Sequence, residues 1–189
     1  MTAPDDDLWV WPAAAPASGS VVLRAFGDDD VAAAVALSRD PYVSRIGTLR
    51  RDASEQDAGE WVAAQRSRLA QRVGFSFAVA DRDTDACVGF AGLWLRTVDT
   101  GTASGGYAVV PAERRRGRAT DALRALTAFA WTRGPVARVE LHVEPWNTGS
   151  RRAAVRAGYV RQRLLPGGHE IGGEPRDVVE HTARRPRPG

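Results

Sequence analysis

Apolar residues along this chain fall into two kinds of run. Short β-branched and aromatic stretches, bounded by Gly, Pro or Asp, predict strands at residues 20–26, 75–80, 87–95, 106–110, 136–143 and 177–183, and another opening at Tyr159-Val160. Helical spacing marks four other segments. One follows Asp28, a candidate cap after the Gly27 stop, through Val31, Val35 and Leu37. A second covers residues 54–71, with Trp61, Val62, Gln65 and Leu69 along one side. A third carries Ala119, Ala122, Leu123, Leu126 and Ala130. The fourth is short, residues 150–157, ended by Gly158. Asp40-Pro41-Tyr42 restarts the chain for a short segment ending near Ile46, residues 81–85 read as a hairpin turn, and Gly134-Pro135 breaks the long helix from the strand that follows. Antiparallel strands first, then strand–helix–strand–helix, predict an α+β sheet domain.

A chain of 189 residues, 43% hydrophobic, fits one domain with one core. Residues 20–183 carry it, between a mobile N-terminal arm at 1–19 and a disordered, basic, proline-rich tail at 184–189. Trp9 and Trp11 alternate as in a strand, which favours docking of the arm on its own core over docking on a partner. No apolar run is long enough to span a bilayer and no basic-then-apolar leader opens the chain, so no membrane is expected. The single cysteine, Cys87, excludes an internal disulfide framework and points to a reduced, cytoplasmic setting. Three histidines and one cysteine show no metal-ligand spacing, so no metal is expected. Formal charge is +3 and the pI about 9.7, with every basic residue an arginine; this permits an acidic ligand without demanding nucleic acid.

The strongest chemical signal is the join between the strand at 106–110 and the long helix. Pro111 stops the strand, and Arg114-Arg115-Arg116-Gly117-Arg118-Ala119-Thr120 follows. A strand, a short basic loop with glycine, then a helix presents free backbone N–H groups and the positive end of the helix dipole to a phosphate. The loop has neither the G-x-x-x-x-G-K-[ST] of a P-loop nor the G-x-G-x-x-G of a dinucleotide fold.

What it matches is R-x-x-G-x-A, from Arg114 through Gly117 to Ala119, which resembles the pyrophosphate loop of the GNAT acyltransferase superfamily. A second signal, Asn147-x-x-Ser150 followed by Gly158-Tyr159 after a strand, resembles the same superfamily and especially its RimJ/RimL branch of N-acetyltransferases. The resemblance extends from residue 21 to residue 179. It implies a central, mostly antiparallel twisted sheet, flanked by helices, in which the strands of Tyr107 and His142 begin paired and then splay. It also implies acetyl-coenzyme A as cofactor. The pantetheine arm would lie in the gap against backbone near Val109, and the pyrophosphate would meet the loop of Arg114, Arg115, Arg116, Gly117, Arg118, Ala119 and Thr120. Asn147 would fix the arm or its turn, and Ser150 would offer a hydroxyl to the departing sulfur. Read as plain sequence grammar, Asn147 forms a turn and Ser150 caps a helix.

The resemblance further implies direct attack of a neutral amine on the acetyl thioester, with a backbone N–H near Ala108 or Val109 facing the oxyanion. Many relatives carry a glutamate on the strand before the loop, where this chain has Ser104-Gly105-Gly106. The position credited with a base in RimL-like proteins falls on His169, with Glu170 beside it; Glu170 is favoured narrowly over His169, and both have a solvent-facing alternative. Trp94 and Trp146 are candidates for the acceptor side. The acceptor expected is a protein N-terminus or a small-molecule amine. A non-catalytic coenzyme A-binding module is the rival, supported by the missing acid near Ser104. Nucleic acid is disfavoured because no aromatics interleave the arginine runs. Assembly is left open, with a homodimer among the options.

Overall fold

The computed structural model describes residues 7–187. The strands are β1 (Ala17–Ser18), β2 (Val21–Arg24), β3 (Gly74–Asp81), β4 (Cys87–Trp94), β5 (Thr102–Val109), β6 (Arg138–Val143), β7 (Val160–Ile171) and β8 (Glu174–Arg184). The helices are α1 (Val31–Ser38), α2 (Pro41–Ile46), α3 (Glu55–Ser67), α4 (Arg118–Trp131) and α5 (Thr148–Arg156). The strands form one sheet in the order β1-β2-β3-β4-β5-β6-β8-β7. Every neighbouring pair is antiparallel except β5 and β6, which the long α4 connects in parallel.

Both faces of the sheet are covered, and β3 shows it: Gly74 through Ala80 are all buried. Phe75, Phe77 and Val79 join the cluster under α4, while Ala78 joins Ala34, Leu37, Ala58 and Val62 of α1 and α3 on the opposite face. The predicted α4 stripe of Ala122, Leu123, Leu126 and Ala130 is fully buried. Each leucine so removed from water contributes about 1.5–3 kcal/mol. The far end of α4 is tied to the chain after α5 by Thr127 Oγ1 and Tyr159 Oη at 2.7 Å.

Several local expectations differ from the structure. Asp28 does not cap α1; residues 28–30 form a 3-10 turn, and the Asp30 carboxylate accepts the Gly27 N–H at 2.7 Å. Helix α3 ends at Ser67 instead of Gln71, closed by a turn in which Arg72 takes a positive φ of 53°. The final hairpin is longer than its predicted strands, turning at Gly172 and Gly173 (φ 63° and 79°). As the edge strand, β7 is exposed along most of its length, so its sequence lacks the alternation that marks a half-buried strand.

Asp7–Trp9 form a 3-10 turn and not the strand suggested by the alternating tryptophans. Leu8 is buried in the α4-side core, and the Trp11 ring lies 4.8 Å from that of Phe77. Beyond β8, the Arg185 guanidinium donates to the Gly134 and Arg133 carbonyls at 3.0 and 2.9 Å. The rest of the predicted arm (residues 1–6) and tail (residues 188–189) lies outside the described residues.

Candidate active site

β5 and β6 pair only at Thr102↔Arg138, Ala103↔Val139 and Ser104↔Glu140. Past Ser104 they diverge, and a cleft of about 590 Å³ opens between them. The far edge of β5 stays paired to β4 as far as Val109. Because the Val110 N–H donates to Val88 across that pairing (2.9 Å), strand alternation turns the Val109 and Tyr107 amides toward the open side. Of the two backbone N–H groups proposed from sequence, Val109 is therefore the one that faces the gap.

The cleft ends at the arginine loop. Among the described residues no acceptor is found for the amides of Arg115 through Thr120, and the first helical bond runs from the Asp121 N–H to Gly117 at 3.1 Å. Gly117 has a φ of +83°, and a Cβ built there would meet no atom within 4 Å, so its position is open to a ligand. The four arginines are not equivalent. Arg114 binds Asp40 and donates Nε to the Val109 carbonyl at 3.1 Å. Arg116 pairs with Glu113 at 3.2 Å. Arg118 is ion-paired to Asp81 and donates to the Ser20 carbonyl at 2.8 Å. The Thr84 and Asp83 amides hold Asp81 down to about 2, so that pair is permanent at neutral pH. Of the four, Arg115 alone has no side-chain partner among the described residues, and it lines the cleft. Val109, Arg114, Gly117, Arg118, Ala119, Thr120, Asn147 and Ser150 line it too, whereas Arg116 does not.

Helix α5 begins beside the cleft. Asn147 is its cap: Oδ1 accepts the Ser150 N–H at 3.1 Å. Ser150 is thus not the cap, and its hydroxyl is left to the cleft it lines. The buried Tyr107 hydroxyl meets hydrogen-bond geometry with no partner among the described residues; burial raises its pKa, and the neighbouring Ser150 hydroxyl works against that. A buried hydroxyl without a partner, a row of free amides and an open glycine all fit a phosphate-bearing cofactor with a polar thioester end.

The other end of the cleft is lined by Tyr42, Val43 and Ile46 of α2 and Leu141, His142 and Val143 of β6. Alternation along β6 puts Val139, Leu141 and Val143 toward the core under α4, and Glu140 and His142 on the opposite face. Glu144, just past β6, is buried and receives Arg176 Nε at 3.1 Å. Tyr42 sits against Asn147 and Glu144, and burial pushes its hydroxyl up to about 12. Trp146 is 58% exposed and packs edge-on against the Tyr42 ring at 4.7 Å. Neither Trp146 nor Trp94 lines the cleft itself. Trp94 has a different consequence: a Cβ at Gly106 would meet its ring at 2.8 Å, so at that position of the Ser104-Gly105-Gly106 stretch the ring takes the room of a longer side chain.

His169 and Glu170 lie on exposed β7, outside the cleft lining. Adjacent strand residues face opposite sides. His169 turns toward His142, ring centroids 6.0 Å apart and planes 21° from parallel. Tyr42, Tyr107, His142 and Glu144 were not singled out from sequence. Their only signal was position: Tyr107 and His142 stand on the strands that splay, and Tyr42 and Glu144 follow the Asp40-Pro41 and precede the Pro145 turns.

A family profile described as "Acetyltransferase (GNAT) domain" matches residues 20–160. The chain belongs to this family, and it is an N-acetyltransferase. It is similar to the uncharacterized N-acetyltransferase YoaA of Bacillus subtilis (strain 168), with 22% identity over 167 residues, 88% of this chain and 94% of that one. Among solved structures it resembles RimJ of Mycobacterium smegmatis in complex with CoA-disulfide (TM-score 0.78, 21% identity, 92% of this chain and 88% of that one). It also resembles RimL, a ribosomal alpha-N-protein acetyltransferase in complex with coenzyme A (TM-score 0.74, 16% identity, 89% of this chain and 96% of that one). No helix among the described residues is long and apolar enough to cross a membrane.

Proposed function

We propose that this N-acetyltransferase transfers acetyl from acetyl-coenzyme A to the α-amine of a protein N-terminus, by direct attack. The observation that carries the reading is the divergence of β5 from β6 past Ser104, leading to the unpaired amides of Arg115 to Thr120. The Arg115–Thr120 amides would hold the pyrophosphate, with Arg115 as the free cation. Val109 and Asn147 would fix the pantetheine arm. Bound there, the cofactor supplies an activated acetyl thioester. The Val109 N–H, on the open side of β5, would face the acetyl oxygen as negative charge grows there, and Ser150 Oγ would donate toward the sulfur.

The acceptor end argues for the substrate class. Its lining residues, Tyr42, Val43, Ile46, Leu141, His142 and Val143, include no carboxylate, and nearby Glu144 is ion-paired to Arg176. A polycation such as a polyamine would find no matching charge. An N-terminal α-amine brings one charge and an extended backbone. The likeness to RimJ and RimL supports the same class, and free Cys87 is consistent with a cytoplasmic setting.

The test is acetyl transfer, read by mass spectrometry, against peptides with free N-termini and against a small-amine library, with cofactor binding measured by calorimetry. Peptide acetylation supports the proposal. Turnover confined to small amines would replace its acceptor, and cofactor binding without any turnover would favour a non-catalytic coenzyme A-binding module.

A further inference from the structure

The incoming amine arrives mostly as an ammonium ion, since an α-amine titrates near about 8 and a side-chain amine near about 10. Some group must take its proton. Among the described residues lining the cleft, the ionisable groups other than arginine are Tyr42, Tyr107, Glu113 and His142; Glu113 is ion-paired to Arg116 and Arg118 in the phosphate loop, and burial raises Tyr107, which keeps its proton. Tyr42, pushed up to about 12, keeps its own proton at neutral pH. Glu170 is outside the cleft, and the stretch Ser104-Gly105-Gly106 carries no acid, with the Trp94 ring against Gly106.

Resting on the function proposed above, we infer that His142 accepts the proton of the incoming amine and that His169, stacked over it, is a positioning residue for that ring. The groups around His142 fit the task. Glu140, on its own strand, is engaged by Arg138 at 2.7 Å. Glu180, directly across on β8, is engaged by Arg163 at 3.1 Å. His169 comes from β7, Tyr42 from α2, and Tyr107 of β5 belongs to the α4-side core. Burial lowers His142, Glu140 opposes that, His169 adds to it and Glu180 opposes it, for a net value below the ordinary 6.5. Burial and the neighbouring His169 thus favour the neutral ring, which keeps one nitrogen free to accept.

One proton moves. It leaves the ammonium nitrogen for the unprotonated ring nitrogen, the N–H electron pair stays on the amine for attack, and the imidazolium then gives the proton to bulk water. Exposed His169 lies on that outward side. A base lowered below 6.5 lies nearer to an α-amine, which titrates near about 8, than to a side-chain amine near about 10, and so suits the α-amine better.

The test uses the full chain and the variants His142→Gln, His169→Gln and Glu170→Gln. Rates are followed from about pH 6 to 10 on N-terminal peptides, and histidine ring titrations by NMR with coenzyme A bound. His142→Gln is expected to lose the acidic limb and to slow about ten- to a hundredfold at pH 7, with the loss shrinking above about pH 8. Its affinity for coenzyme A should hold, which separates this effect from misfolding. His169→Gln should shift the limb and raise the midpoint of the His142 titration. The inference is overturned if the limb survives in His142→Gln and disappears in Glu170→Gln, or if the His142 ring is protonated at pH 7. If the wild-type chain acetylates no amine, the proposed function fails on its own, and the ring titration alone decides: a midpoint below 6.5 that rises in His169→Gln keeps the paired site, and any other result removes it.

Discussion

Asp40 and Arg114 join the two ends of the site. Asp40 caps α2 by accepting the Tyr42 N–H at 2.8 Å, and the same carboxylate is ion-paired to the guanidinium of Arg114 in the loop before α4. Tyr42 lines the acceptor end of the cleft and Arg114 its phosphate end, so one carboxylate fixes both.

Asp40→Asn should keep the cap, because asparagine caps as well as aspartate, but lose the charge. Burial pushes the Asp40 pKa up, and the Arg114 and Tyr42 bonds outweigh it, leaving the net value below 3.8. A depressed folded pKa means stability that is present above the unfolded value and lost as pH falls through the folded one. For this partly exposed pair the variant should lose about 0.5–1 kcal/mol at pH 7 and converge on wild type at an acid pH where Asp40 is protonated in the folded state too. Thermal melts at both pH values test the sign, and calorimetry should show several-fold weaker cofactor binding.

Gly117 separates shape from charge. Gly117→Ala forces a φ of +83° on an L-residue, costing about 1–2 kcal/mol, but adds no contact. Gly117→Glu carries the same strain and sets a negative charge against the phosphates. Calorimetry should find acetyl-coenzyme A binding retained by the alanine variant and abolished by the glutamate variant. Binding within a few-fold of wild type in Gly117→Glu would remove the loop assignment.

Ser150 and Asn147 should part in their phenotypes. Asn147→Ala removes the cap of α5 and should cost about 0.5–2 kcal/mol in melting experiments. Ser150→Ala leaves that cap in place, so its melt should match wild type while turnover falls roughly ten- to a thousandfold. An early-melting Ser150→Ala with full turnover would contradict both assignments.

His181 sets an acid limit on stability. It is 1% exposed, Nδ1 lies 3.2 Å from the Val179 carbonyl, and burial holds its pKa below 6.5. The unfolded chain takes up a proton as pH falls below about 6.5 while the folded ring resists, so stability declines from there down to the folded pKa. His181→Gln should flatten that decline in melts between about pH 7 and 5, relative to wild type at the same pH values.

Much of this molecule is local grammar. The α4 stripe follows from spacing alone, because a period of 3.6 puts Ala122, Leu123, Leu126 and Ala130 on one face whatever they pack against. The glycine-bearing loop after Pro111 and the Asn147-x-x-Ser150 turn were legible for the same reason: backbone N–H groups at a helix start are set by neighbours in sequence. The sequence also carried both motifs of the family. It could not say that Ser150 yields the cap to Asn147, since either residue type caps equally well.

Tertiary structure decided everything that depends on partners far along the chain. Arg116 is held locally by Glu113, but Arg114 and Arg118 are held by Asp40, Asp81 and Ser20, residues 74, 37 and 98 positions away from the arginines they bind. The cleft exists because β5 and β6 stop pairing after Ser104, a matter of strand register and twist that no single strand encodes. Exposed β7 gave little pattern to read, yet it carries His169 across to His142. The sequence by itself determined the elements, the phosphate loop and the family; the fold alone decided which side chains share the cleft, because ion pairs, strand divergence and ring stacking act between segments that sequence order keeps apart.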